Sequence, residues 1–278
     1  MIVVTGATGN VGRTLLRALA GTGAVTAVSR GQLPVDLPEG VHYQQADLAQ
    51  PETLRPVLTG ARTLFLLVSG AGAHLDVNEI LTVGRAGGVE RVVLLSSQAA
   101  ETRPQSVSHA PLREIERTIQ DSGLAWTILR PGGFASNAYA WAESVRTRRT
   151  VVAPFGEVGL PVVDPDDIAE VAAVVLRDDA HAGRTYELTG PVLSTPRQRT
   201  TDLAHALGEP VRFVEQTPQE ARAQMLQFMP APVVDGTLSI LGEPTAAEQR
   251  ISPHVEQLLG RTPRTFAQWV EGRILAFR

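Results

Sequence analysis

Lysine is missing from this sequence: all 25 basic residues among the 278 are arginines. Any mechanism that needs a lysine amine is excluded. Cysteine is missing too, so there is neither a disulfide framework nor a thiolate metal site, as fits a reducing compartment. The six histidines, His42, His74, His109, His181, His205 and His254, show no paired spacing of the kind that holds zinc. Tyrosine occurs three times, at Tyr43, Tyr139 and Tyr186. No apolar run approaches the roughly 18 residues a membrane span requires, and the opening MIVVTGATG is too briefly apolar for a signal peptide. The net charge of −4 is spread without a basic stripe, which argues against nucleic acid as a partner. The expectation is a soluble, cytoplasmic monomer or weak homodimer that acts on a small molecule, with no membrane or nucleic-acid partner.

What is present is an alternation. Short β-branched runs (IVVTG, AVTAVSR, VHYQQAD, TLFLLVSG, RVVLLSS, WTILRPG) alternate with amphipathic stretches such as VGRTLLRALAG and PLREIERTIQDSG. The strands are nearly continuous in apolar character, as expected when helices cover both faces. Repeated β-α units of this kind predict an α/β fold with a Rossmann-type, doubly wound parallel sheet. In the first helix Val11, Leu15, Leu16 and Leu19 make the buried stripe, with Arg13 and Arg17 outside. After residue 137 the pattern loosens. DPDDIAEVAAVVL starts a helix at Asp164 and Pro165, and YELTG and VRFVEQ read as short strands between helical segments. Residues 1–137 are therefore read as the nucleotide-binding half and 138–278 as a smaller C-terminal substrate lobe, with no linker between them.

The strongest local signal is TGATGNVG, residues 5–12, directly after the first strand and leading into the first helix. Gly6, Gly9 and Gly12 allow the tight turn, the close approach of a pyrophosphate to the backbone, and the packing of helix on strand. Thr8, Asn10 and Val11 complete the loop and the first helical turn, whose free N–H groups face an anion. Ser29 and Arg30 end the second strand, where an NAD site usually carries an acid; a guanidinium there suits the 2′-phosphate of NADP(H). Asp47 and Leu48 follow the third strand and are expected to hold the adenine between an acceptor and an apolar wall. Val68 and Ser69, ending the fourth, would flank the adenine-side ribose.

These pieces, with ADL at 46–48, LLSSQAA at 94–100, SGLAWTILRPGGFASNA at 122–138 and DPDDIAEVAAVVL with YELTG, resemble the atypical, NmrA-like branch of the short-chain dehydrogenase/reductase superfamily. The resemblance covers nearly the whole chain. It implies an NADP(H)-dependent site at which a serine ending strand five steadies a carbonyl, a tyrosine donates the proton, and a lysine tunes that tyrosine and holds the ribose. Ser97 matches the serine, with Ser96 as the alternative. The tyrosine and lysine positions fall on His109 and Arg113. Pro131, Gly132 and Phe134 match the segment that lies against the nicotinamide.

Imidazole is a competent general acid when protonated, whereas arginine relays no proton. A helix N-terminus and a neighbouring Arg113 both disfavour an imidazolium at His109. Pro111 also allows the helix to begin after His109, so that the two side chains need not be neighbours. With enzyme-supplied acid weakened, the expected acceptor is a quinone or a polycyclic aromatic ketone that stabilises its own negative charge, an angucyclinone-like aromatic polyketide being one case. Phe134, Tyr139, Trp141, Met225, Phe228 and Met229 are the candidate lining for such a ring system. The alternative function is a non-catalytic NADP-binding redox sensor.

Overall fold

The computed structural model describes residues 1–31, 37–68 and 72–278. Six strands fall on the runs read from the sequence: β1 (Ile2–Val4), β2 (Val25–Ser29), β3 (Val41–Gln45), β4 (Thr63–Leu67), β5 (Arg91–Leu95) and β6 (Ala125–Pro131). They lie in the order β3-β2-β1-β4-β5-β6. Every pairing among them is parallel, Val3 standing opposite Thr26 on one side and Leu64 on the other. This is the order of a Rossmann-type sheet, so the carboxyl ends of all six strands open on one edge.

Helices cover both faces. α1 (Asn10–Leu19) buries Val11, Leu15, Leu16 and Leu19, the stripe expected from its spacing. α2 (Val77–Gly87) and α3 (Ala110–Asp121) bring Ile80, Leu81, Ile115 and Ile119 into one core with Val3, Leu64, Leu66, Val92, Leu94 and Ile128 of the strands. Side chains alternate along a strand, so Val4, Phe65, Val93 and Leu129, equally sealed from solvent, face the opposite side. Each such side chain contributes about 1.5–3 kcal/mol by leaving water. α4 (Pro165–Arg177) begins at the expected proline with Asp166 and Asp167 in its first turn, and the Thr14 hydroxyl of α1 donates to Asp166 at 2.7 Å.

The chain forms two units whose segments interleave. The first holds Met1–Pro104, His109–Pro131 and Asp166–Glu187; the second holds Gln105–Ser108, Gly132–Pro165 and Leu188–Arg278. A single boundary at 137 therefore misplaces α4 and the strand within YELTG. That strand, β8 (Arg184–Leu188), lies beyond β6 as the seventh and last of the main sheet. It is short and mostly half-exposed, an edge strand whose partner is set by tertiary pairing and not by its own residues. In the second unit β7 (Thr150–Ala153) pairs in parallel with β9 (Arg212–Glu215). α5 (Pro196–Leu207) and α6 (Phe266–Glu271) pack there around Val145, Val151, Leu203, Trp269 and Phe277. Among the described residues no helix is long and apolar enough to cross a membrane.

Candidate active site

The loop after β1 is built to approach an anion. Gly6 turns the chain at φ +65°, and a Cβ at Gly12 would stand 2.2 Å from the Gly6 carbonyl oxygen. Only glycine lets α1 start this close to the strand it leaves. The Gly9 N–H closes the turn on the Gly6 carbonyl at 3.0 Å, and the Ala7 N–H ties the loop to Val28 of β2 at 3.2 Å. Gly9 is the cap residue of α1 and has no side chain with which to cap it, and the first turn carries no acid. The early N–H groups of α1 at Asn10, Val11 and Gly12 are thus left to a ligand, with the positive end of the helix behind them. Thr8 is half-buried and Asn10 exposed. The residues present fit a dinucleotide pyrophosphate.

The neighbouring strand ends supply the rest. Arg30, exposed, follows β2; its carbonyl accepts from the Gln45 amide at 2.7 Å, and its guanidinium makes no ion pair among the described residues. The Ser29 hydroxyl donates to the Gly31 carbonyl at 3.0 Å and sits 3.2 Å from the Tyr43 hydroxyl. Asp47 is fixed by its backbone N–H on Thr53 Oγ1 and by Oδ1, which accepts the Ala49 N–H at 3.0 Å. Leu48 and Val68 are half-buried against the main core. Ser69 lies outside the described residues.

Two serines with different partners follow strand β5. Ser96 is buried, and its hydroxyl donates to Glu116 Oε1 of α3 at 2.5 Å. Glu116 also accepts from Arg130 Nε at 3.0 Å and Nη2 at 2.6 Å, a two-pronged pair, and Arg130 reaches Glu101 as well. Burial pushes the Glu116 carboxyl up, with the Ser96 hydrogen bond opposing; burial pulls the Arg130 guanidinium down, with Glu187 opposing. Ser97, half-buried, takes a different course: its Oγ accepts the Ala99 N–H at 3.2 Å. That bond uses a lone pair and leaves the Ser97 hydroxyl proton to give.

His109 is the residue that caps α3, at φ −105° and ψ 0°, with no hydrogen bond from its side chain to the helix end. The helix begins at Ala110, one residue before Pro111, because a proline in the first turn gives up no hydrogen bond. His109 therefore stays one turn from Arg113, whose N–H donates to the His109 carbonyl at 3.1 Å. The Arg113 guanidinium donates to the Arg103 carbonyl at 3.1 Å. Pro131 is buried at the end of β6, its carbonyl accepting the Gln98 N–H at 2.9 Å. Gly132 and Phe134 belong to the second unit, where the Gly132 N–H donates to Leu188 and Phe134 bridges to Val163. Of the candidate ring-binding residues there, Tyr139 packs edge-on to Trp269 at 5.2 Å, Met225 and Met229 are half-buried, and Phe228 is exposed.

Two features escaped the sequence reading. Glu116 falls in the i, i+3, i+4, i+7 stripe with Leu112, Ile115 and Ile119, and an acid in an apolar stripe is a visible signal of a buried partner. Arg13, on the first turn of α1, is exposed without an ion pair among the described residues and stands beside the phosphate loop as a second available cation.

Residues 6–179 match the NAD(P)H-binding family model. The (4-alkanoyl-5-oxo-2,5-dihydrofuran-3-yl)methyl phosphate reductase of Streptomyces griseus is 34% identical over 281 residues, covering 100% of this chain and 99% of that one. The NAD(P)H azoreductase of Xenophilus azovorans is 28% identical, with coverage of 100% and 99%. The solved structure of an NADPH-dependent quinone oxidoreductase from Escherichia coli, complexed with NADPH, has the same fold, with a TM-score of 0.82 over 99% of this chain and 100% of that one at 24% identity. The chain belongs to the NAD(P)H-binding family and is an NAD(P)H-dependent oxidoreductase.

Proposed function

We propose that this reductase transfers hydride from NADPH to an electron-poor, conjugated acceptor, a quinone or polycyclic aromatic ketone, an angucyclinone-like polyketide being one example. The observation that carries this reading is the pair His109 and Arg113 where the superfamily has tyrosine and lysine. Arg113 is held on the Arg103 carbonyl, and an arginine side chain is no proton relay. The acceptor must therefore hold its own charge.

Bound NADPH supplies the hydride. Ser97 donates its hydroxyl proton as a hydrogen bond to the acceptor oxygen, onto which the displaced electron pair moves and from which it spreads over the conjugated system. Water then delivers the proton that completes the reduction. Arg30, with Arg13 beside the phosphate loop, favours the 2′-phosphate of NADPH over NADH. Two relatives support an acceptor of this kind, since an alkanoyl oxo-dihydrofuran and an azo compound both delocalise an added electron pair.

The test is anaerobic NADPH oxidation with quinones, peri-hydroxylated aromatic ketones and simple unactivated ketones as acceptors. Turnover is expected with the first two and not with the third, and His109→Phe should retain it within about threefold. Loss of turnover in His109→Phe with NADPH binding intact would show that the enzyme, and not the acceptor, provides the acid.

A further inference from the structure

The buried stripe of α5 is Pro196, Arg199, Thr200 and Leu203. Three of these suit a core; Arg199 does not. It is 7% exposed, yet no carboxylate pairs with it among the described residues. The contrast with buried Arg91 and half-buried Arg130 is direct. Arg91 has Asp179, and Arg130 has Glu116 and Glu101. For Arg199 the contacts are two aromatic faces, Trp141 at 5.5 Å and Phe266 at 5.9 Å from the guanidinium carbon, and a long hydrogen bond from Nε to the Thr195 carbonyl at 3.4 Å.

A buried cation without a counter-charge is expensive, because the ring faces return only part of the lost hydration. Burial alone pulls this guanidinium down to about 10, with no neighbouring charge to offset it. It is still a cation at neutral pH. The ring contacts and the one Nε hydrogen bond leave the Nη1 and Nη2 hydrogens without an acceptor among the described residues. Nor are these two nitrogens sealed: among the described residues the one fully enclosed side-chain nitrogen without a partner is Arg91 Nε. A fork of in-plane N–H donors, rigidly backed and open at its edge, matches the two oxygens of a carboxylate or phosphate.

We propose that Arg199 is an oxyanion receptor of the second unit, which binds the carboxylate or phosphate group of a small molecule edge-on while Trp141 and Phe266 hold the guanidinium from the side. The assignment stands apart from the hydride chemistry and is tested by binding alone. Thermal unfolding of the full chain is followed in sodium chloride, sodium phosphate and sodium benzoate at equal ionic strength, with tryptophan fluorescence as a second readout through Trp141. At a concentration about tenfold above the dissociation constant, phosphate or benzoate should raise the wild-type Tm by about 2–4 °C, and which of the two does so identifies the oxyanion. Arg199→Met should melt higher than wild type in chloride, because the uncompensated charge is gone, and should lose the part of the anion shift that Arg199 supplies, keeping only what phosphate gains at the loop after β1. Arg199→Lys keeps the charge but not the fork, so its affinity should fall at least about tenfold, by the loss of one charged hydrogen bond. An equal anion shift in wild type and Arg199→Met, or no shift and no fluorescence change in wild type with either anion, overturns the proposal. So does Arg199→Lys binding as tightly as wild type.

Discussion

The Ser96 hydroxyl donates to Glu116 Oε1 at 2.5 Å, which turns the first of the two serines after β5 into the packing against α3. Ser97, the next residue, accepts from the Ala99 N–H instead. The two hydroxyls should therefore fail differently. Ser97→Ala is expected to lower kcat about 100-fold, the usual cost of one lost donor at a developing oxyanion, with NADPH affinity unchanged. Ser96→Ala should leave kcat within about threefold and lower stability by about 1–3 kcal/mol, since a buried carboxylate oxygen loses a donor. Paired kinetics and urea unfolding of the two variants check both halves.

The Glu116–Arg130 pair is a structural clamp across α3 and β6, with both Arg130 bonds landing on one carboxylate. Glu116→Ala removes that carboxylate and leaves a guanidinium at 15% exposure with Glu101 as its remaining close partner. A loss of about 3 kcal/mol is expected, the lower end for breaking a buried pair, because Glu101 takes up part of the charge. The double variant Glu116→Leu/Arg130→Leu should recover most of it, because two buried charges then leave together. Urea midpoints at constant slope measure the difference, and non-recovery in the double variant would show that the pair contributes net stability.

The same two positions explain what was legible in the chain and what was not. Strands β1, β2, β4 and β5 could be read because their apolar runs are dictated by burial on both faces, and the phosphate loop because Gly6 and Gly12 are forced by sterics within a few residues. Glu116 and Arg199 could not be assigned from local sequence, although each sits in an apolar helical stripe. The stripe announces burial but not the partner. Arg130 arrives from β6, fourteen residues downstream of Glu116, whereas the rings around Arg199 come from segments more than fifty residues away on either side. β8 was misplaced for the same reason: half-exposed over most of its length, it belongs to the main sheet only through the strand it meets.

Gly9 and Gly12 should separate binding from folding. A Cβ at Gly12 meets the Gly6 carbonyl oxygen at 2.2 Å and Ala7 Cα at 2.9 Å, both backbone atoms that cannot turn aside. Gly12→Ala is thus expected to cost about 1–3 kcal/mol of stability as well as cofactor affinity. At Gly9 the nearest atom to a new Cβ is 3.3 Å away, and the backbone φ of −78° suits any residue. Gly9→Ala should fold with little loss yet bind NADPH at least about tenfold more weakly, because its methyl group stands where a pyrophosphate approaches the amides of α1. Thermal unfolding without cofactor, set against NADPH titration by fluorescence, distinguishes the two.

Arg30 makes the cofactor preference testable at a single side chain. Its guanidinium is exposed and makes no ion pair among the described residues, so removing it breaks no contact that stabilises the fold. A charged hydrogen bond to a phosphate is worth about 1.5–3 kcal/mol, or roughly 10- to 100-fold in affinity. Arg30→Ala should therefore raise KM for NADPH by that factor while leaving KM for NADH and the unfolding midpoint unchanged. Arg30→Asp should go further and favour NADH, because a carboxylate at the end of β2 accepts from the ribose hydroxyls and repels the 2′-phosphate. If Arg30→Ala left the NADPH KM where it was, the 2′-phosphate would have to rest on Arg13. The double variant Arg13→Ala/Arg30→Ala would then show the loss that the single one did not.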